Sequence, residues 1–284
     1  MTKLCVNRGK EPTLRLQHLP NLVDLKLYNV ENIWHPRMIT NPESLETLEI
    51  NPSITSRSFS TINVLSCLSN LRVLELSRCK DLNDLSALLT MPLIEKLVLF
   101  QTSNLKDLTF IGTLEHLQHL ELSSCESITS LEPLKKNHRL QYLDITHSQI
   151  NDLSPLRDLP LSTLILNSSN RIVDLSPLGD ISTILQLSFA FCAFIADISP
   201  ISRLKNLRYL NLSWCGRIES IESLMHHPSL QVLKLAYCFF LESSAPIAFM
   251  PRLIEADLVG CQRIPESHRT HFTSSKALRE VFNE

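Results

Sequence analysis

The chain has 284 residues, 44% of them hydrophobic, 20% charged and only 6% aromatic, so it buries a large aliphatic core and is not disordered. A net charge of −2 gives no basic excess for neutralising phosphates, and five glycines leave few places for phosphate or dinucleotide loops. Neither a nucleic-acid partner nor a bound cofactor is expected.

The first residues, MTKLCVNRGKEP, are charged and carry no apolar segment, which argues against a secretory leader. The most lipid-like stretch, Ile181 to Ala196, is shorter than a membrane span and contains Ser, Thr and Gln, so no membrane span is expected. A cytoplasmic or nuclear location is the default expectation.

Leu4 precedes Leu27 by the same interval that recurs along the rest of the chain, which places a degenerate partial repeat in residues 1–20. Leu16, Leu19 and Leu22 fall at the positions ahead of the first full strand. No polar cap precedes them, so leucines and a strand edge are expected to lie exposed there, as in a piece of something longer.

From residue 21 to 264 an L-x-L element recurs, its second apolar residue being Leu27, Ile50, Leu76, Leu99, Leu122, Ile145, Leu166, Phe189, Leu212, Leu235 and Leu258. These eleven positions are spaced by about 23 residues, a period that marks a stacked repeat array. Each L-x-L predicts a short strand with both leucines on one side, paired in parallel with its neighbours. Two steps depart from the period. The longer one, from Ile50 to Leu76, places an insertion within Asn51–Asn70, and the shorter one, from Ile145 to Leu166, marks a deletion around His147–Leu161.

After each strand comes a segment such as Asp152-Leu-Ser-Pro-Leu156, Asp174-Leu-Ser-Pro-Leu178 or Asp197-Ile-Ser-Pro-Ile201. Ser at the N-cap and Pro at the first helical position predict one short 3-10 turn. Residues 265–284 leave the pattern, and Ala277–Phe282 is expected to fold over the last unit as a cap. The predicted fold is an α/β repeat solenoid, a right-handed superhelix with a parallel β-sheet on its concave face and 3-10 turns on its convex face.

The clearest copies, Leu207–Leu224 (LRYLNLSWCGRIESIESL) and Leu117–Leu134 (LQHLELSSCESITSLEPL), give the pattern L-x-x-L-x-L-x-x-C-x-x-I. This resembles the leucine-rich repeat family over about residues 14–264. The cysteine-containing core is similar to that of F-box substrate receptors, and D-L-S-P-L to the short class of phosphatase regulators and bacterial internalins. The combination is most similar to trypanosomatid leucine-rich repeat proteins, including expression-site-associated members. The resemblance implies a non-enzymatic module that binds a protein on its concave face. Its alternative is a regulatory or substrate-recognition subunit of an enzyme complex, a phosphatase regulator or a ubiquitin-ligase adaptor. A third reading is a folded but partnerless product of an expanding repeat family. RING-type zinc chemistry does not carry over, because only Cys5 precedes residue 60, and there is no room for an F-box module before Leu14.

Six cysteines, Cys79, Cys125, Cys192, Cys215, Cys238 and Cys261, sit at the third position after the second apolar residue of their strand. Thr102, Ser148 and Ser169 fill the same place elsewhere, as no metal site would allow. They are expected to be a ladder of small, buried, reduced residues. The histidine pairs His116/His119, His226/His227 and His268/His271 lack further ligands at zinc spacing. No hydrolase, Walker or zincin motif occurs, so an enzyme is not expected.

The concave face supplies the candidate site. Between the two leucines of each unit, Glu49, Glu75, Glu121 and Asp144 predict an acidic stripe. Two positions after the second apolar residue, Phe191, Trp214 and Tyr237 fall in consecutive units, with Tyr209 expected on the same face. Tyr and Trp are enriched at binding hot spots. The expected partner is a protein segment basic at one end and apolar at the other.

Overall fold

The computed structural model describes residues 2–7, 19–30, 41–52 and 60–282. Leu14, Leu16 and positions 53–59 of the expected insertion lie outside the described residues. The chain forms two compact units, residues 1–143 and 144–284.

In the first unit, strands β1 (Lys3–Asn7), β2 (Asp24–Val30), β3 (Thr47–Pro52), β4 (Val73–Leu76), β5 (Lys96–Val98) and β6 (His119–Glu121) follow one another in chain order. All their pairings are parallel, and the register sets Leu25, Leu48, Leu74, Leu97 and Leu120 side by side. The near-constant step stacks like on like, so one packing solution serves every repeat. Strand β7 (Tyr142–Asp144) falls at the division. In the second unit, β8 (Thr163–Ile165), β9 (Gln186–Ser188), β10 (Tyr209–Asn211), β11 (Val232–Lys234) and β12 (Glu255–Asp257) pair in the same way. Each unit is thus a solenoid, with strands on one side and short 3-10 turns on the other.

The register corrects one expectation. Val6 pairs with Leu27 and Leu4 with Leu25, so the first strand is set two positions short of the full period. Leu4 therefore takes the first strand position, not the second.

The turns correct another. The 3-10 segments begin at the serine itself, as in Ser154–Leu156, Ser176–Asp180 and Ser199–Arg203, with proline second and no cap from the preceding Leu or Ile side chain. The aspartate two positions ahead of the serine does the capping. Asp152, Asp174 and Asp197 each accept the serine N–H at 2.8 Å. A carboxylate is the stronger acceptor for an orphan turn N–H, and the bonds from the Ser176 N–H and hydroxyl hold the Asp174 carboxyl below its usual range.

At the far end a short strand, β13 (His271–Phe272), runs antiparallel to β12, ahead of helix α1 (Ser275–Phe282). The helix matches the expected Ala277–Phe282 closely. The reversed strand is too short to leave an alternating pattern. Phe272 and Leu278 are buried, and the Phe282 ring meets those of His268 and Phe272.

The core is almost entirely aliphatic, and several of its polar members bond backbone carbonyls of the repeat before. Each thiol of Cys125, Cys192, Cys215, Cys238 and Cys261 donates to the carbonyl of the second apolar strand residue one repeat earlier, at 2.9–3.2 Å. Ser169 Oγ donates to Ile145 O in the same way at 3.2 Å. At these six positions the small residue after the strand thus ties one repeat to the one before it, in several cases as a second donor to a carbonyl that already accepts a backbone N–H, as Leu212 O does from Cys215 N. Asn137 and His227 occupy positions where neighbouring repeats place Leu114 and Leu204. Asn137 Nδ2 donates to Ile111 O and Leu114 O, both at 3.0 Å. His227 Nε2 lies 3.1 Å from Leu204 O, and its ring is buried.

This core can be probed at its leucines, its thiols and the buried imidazole of His227. Leu122, Leu212 and Leu235 are each 0–1% exposed, so Leu→Ala at any of them is expected to cost about 2–5 kcal/mol in chemical denaturation. Burial pushes the Cys125 and Cys215 thiols up to about 12 and those of Cys192 and Cys261 up to about 11. Alkylation of the native protein should therefore stop at the exposed Cys5 and Cys67, with the six ladder thiols reacting only after unfolding. Rapid modification of Cys215 in the folded state would contradict the ladder.

Burial likewise holds the His227 imidazole below its usual range, against the partial compensation of its bond to Leu204 O. The folded state then resists a proton that the unfolded chain accepts. Its contribution is complete above the unfolded pKa of about 6.5 and is lost progressively as pH falls from there toward the depressed folded value. His227→Leu should flatten this part of the stability profile, measured by urea denaturation from pH 7.5 to 5. An unchanged slope would place the acid sensitivity elsewhere.

Candidate binding surface

The chain bends sharply two positions past the second apolar residue of most strands, though not at Pro52 after Ile50. Asn29, Arg78, Gln101, Ser124, His147, Ser168, Phe191, Trp214 and Tyr237 all sit there with φ between +54° and +65°, and Gly260 completes the series at +76°. A left-handed conformation costs a side-chain-bearing residue about 1–2 kcal/mol. A hydrogen bond to the next repeat offsets it, as from His147 N to Asn167 O, Ser168 N to Ala190 O and Trp214 N to Ala236 O, all at 2.8 Å. Side chains at this corner therefore leave the backbone in parallel, one per repeat.

In the second unit three of these side chains are rings, and they stack. Phe191 and Trp214 lie 5.5 Å apart at 13°, and Trp214 and Tyr237 lie 4.2 Å apart at 19°. Phe239 meets Trp214 edge-on at 5.8 Å and closes against Tyr237 at 6.1 Å. The far face of Tyr237 rests on Gly260, where an added Cβ would come within 2.5 Å of the ring. Glycine is required there twice over, for its backbone angle and for the close approach. The rings stay accessible at their edges, since Phe191 is 52% and Trp214 40% exposed. The column stands at the corner beyond the strands rather than on the sheet.

Tyr209 is placed apart from the column. It opens β10 on the exposed sheet face, and among the described residues it joins no ring pair. It lines a shallow depression with Thr163, Gln186, Ser188 and Asn211.

The acidic positions are not a bare negative stripe. Glu49 Oε2 accepts from Lys26 Nζ at 2.8 Å, and its other oxygen accepts from the Tyr28 hydroxyl at 2.7 Å. Burial pushes the Glu49 carboxyl up, but these two bonds outweigh it and hold the group below the usual range. Glu75 accepts from Lys96 Nζ at 2.6 Å. Glu121 pairs with Val98 in the strand register and is also engaged. Asp144 Oδ1 accepts the Thr146 N–H at 2.8 Å, the use that Asn211 makes of Ser213. Lys26 stands in the same column as the acids, one strand before Glu49, whereas Lys96 stands off it, two positions before Val98, and was not legible from that column alone.

The structure adds contacts that the sequence reading did not single out. The residue two after the core Cys or Ser runs Arg171, Phe194, Arg217, Phe240, Arg263, an alternation visible once repeats are aligned. Arg217 lies over the Phe194 ring at 4.7 Å and Arg263 over Phe240 at 4.5 Å. In the first unit, His119 stacks face to face on Tyr142 at 3.9 Å. Among the described residues no cluster of three or more His, Cys, Asp or Glu could hold a metal ion, and no helix is long and apolar enough to cross a membrane.

Comparison with known proteins agrees with this geometry. Family models for leucine-rich repeats match at three places: two-copy leucine-rich repeats at residues 115–158, Zer-1-like leucine-rich repeats at 62–132, and a single leucine-rich repeat at 203–220. No curated protein sequence matches the chain. Among solved structures the fold is similar to an internalin (inlF) from Listeria monocytogenes, with a TM-score of 0.65 and 22% identity over 93% of this chain and 86% of that one. It is also similar to the functional domain of InlJ from Listeria monocytogenes, which includes a cysteine ladder. That match has a TM-score of 0.66 and 18% identity over 92% of this chain and 54% of that one. The matched segments are thus similar to leucine-rich repeats, and the stacked parallel strands with short 3-10 turns have the fold of leucine-rich repeat solenoids.

Proposed function

We propose that the chain is a non-enzymatic scaffold that binds a protein partner along its concave sheet face and the aromatic corner beside it. Leucine-rich repeat scaffolds serve protein–protein interaction, and nothing in this sequence adds a catalytic motif to that role. The observation that carries the reading is the ring column. Phe191 and Trp214 are about half exposed yet already ordered by stacking. Fixing a mobile side chain on binding costs about 0.5–1.5 kcal/mol, and rings held in advance avoid most of that cost. Phe191, Trp214 and Tyr237 then supply affinity by desolvation, with Tyr209 contributing from the sheet face. Glu49, Glu75, Glu121 and Asp144 supply charge for a basic end of the partner. Because Lys26 and Lys96 already hold Glu49 and Glu75, that charge acts mainly on the association rate and is screened by salt.

The same reading assigns the repeats to the cysteine-containing short type, most similar to trypanosomatid leucine-rich repeat proteins; its support is the ladder of Cys192, Cys215, Cys238 and Cys261. Unpaired buried thiols also favour a reducing compartment, cytoplasm or nucleus.

The test begins with affinity purification and mass spectrometry to obtain the partner. Trp214→Ala should then weaken its binding by about 2 kcal/mol or more. Glu75→Lys combined with Glu121→Lys should slow association at low salt and converge on wild type at high salt. A Trp214→Ala protein that binds as tightly as wild type would reduce the rings to packing residues.

A further inference from the structure

The ring column stops abruptly at one end. Trp214 covers one face of Phe191, while the next corner position along the column is Ser168, whose side chain reaches no further than its hydroxyl. One repeat further on is His147, an exposed residue with the same left-handed backbone, φ +56°. The backbone at Ser168 is that of the ring-bearing corners, with φ +57° and an N–H donated to Ala190 O at 2.8 Å. A side chain there would leave in parallel with Phe191.

Repeats stack at about 4.8 Å, so the backbone corners of His147 and Phe191 are two steps, about 9–10 Å, apart across Ser168. One flat ring placed over Ser168 lies about 5 Å from Phe191, within the range of stacked aromatic pairs. The sequence therefore leaves a notch one ring thick, floored by Ser168 and walled by Phe191. Beside it, Asn167 belongs to the depression on the sheet face that Gln186, Ser188, Tyr209 and Asn211 line. Asn167 is held by hydrogen bonds from Ser188 Oγ at 2.7 Å and Ala190 N at 2.9 Å, so the rim between notch and depression is fixed. The notch thus opens onto the face that a protein segment would follow.

We infer that the notch over Ser168 receives an aromatic side chain of the protein partner, which continues the stack on the free face of Phe191. The inference rests on the protein-binding reading and names the residue class that the site takes. An aromatic ring is favoured because the two neighbouring places in the same column, with the same backbone, are filled by Trp214 and Tyr237 stacked flat. The partner's flanking residues then lie in the polar depression beside Tyr209.

The test needs no partner. N-acetyl-tryptophanamide is titrated into the intact protein up to millimolar concentration and followed by the backbone amide resonances of Ser168 and Phe191. Saturable shifts are expected, and at least several-fold weaker ones with N-acetyl-cyclohexylalaninamide, which is as apolar but not flat. Ser168→Tyr should abolish binding by filling the notch with the chain's own ring. Its fold is expected to survive, since three aromatic residues already occupy equivalent corners, and thermal melting checks this. Phe191→Ala removes the wall without touching Ser168 and should abolish binding too, whereas Ser168→Ala should retain it. Absence of saturable shifts, equal binding of the cyclohexyl probe, or a tighter fit of methylguanidinium overturns the aromatic assignment. So does binding that persists in a folded Ser168→Tyr protein. None of these outcomes bears on whether Trp214→Ala weakens a purified partner, so the notch and the broader scaffold reading fail separately.

Discussion

The hydrogen bond from each corner residue to the next repeat is the constraint from which much else follows. To donate to the neighbouring carbonyl, as His147 does to Asn167 and Trp214 to Ala236, the corner residue must turn left-handed. That turn ends the strand and sends the corner side chain outward. It also brings the following residue, Cys, Ser or Thr, back into the core, where most of these side chains meet the carbonyl of the previous repeat. The thiol ladder and the ring column are therefore two products of one bend. A residue one place off would exchange a buried thiol for a buried ring.

The same repetition determines what the core tolerates. Positions that elsewhere hold leucine accept Asn137 and His227 because each finds a carbonyl of the preceding repeat within 3.1 Å. Such substitutions do not break the stack, but they trade apolar burial for directed bonds. For His227 the trade introduces sensitivity to acid that leucine would not have.

Much of this architecture was legible in the sequence because its signal is repeated. The recurring period located the strands, the buried Leu122, Leu212 and Leu235, and the cysteine ladder, since each copy reinforces the next. What occurs once was not legible. Strand β1 is offset from the period, and the short β13 reverses direction without any alternation to announce it. The capping role passed from serine to aspartate because only geometry decides which acceptor reaches the turn N–H. At the candidate site the aromatic positions were readable along one column, but their stacking required the backbone angle at the corner. The acids were readable too; their pairing with Lys26 and Lys96 depended on reading across strands. Tyr209, expected to share the face of the rings, lies on the sheet rather than at the corner.

The left-handed corner also separates two kinds of inheritance. Asn, Arg, Gln, Ser, His, Phe, Trp and Tyr all occupy it in this one chain, at nearly the same φ, while the leucines beneath them stay put. The exterior can therefore be rewritten one letter at a time, each letter in its own repeat, without disturbing the interior that holds the letters in line. A lineage that duplicated such repeats would inherit stability intact and be free to drift in what it recognises.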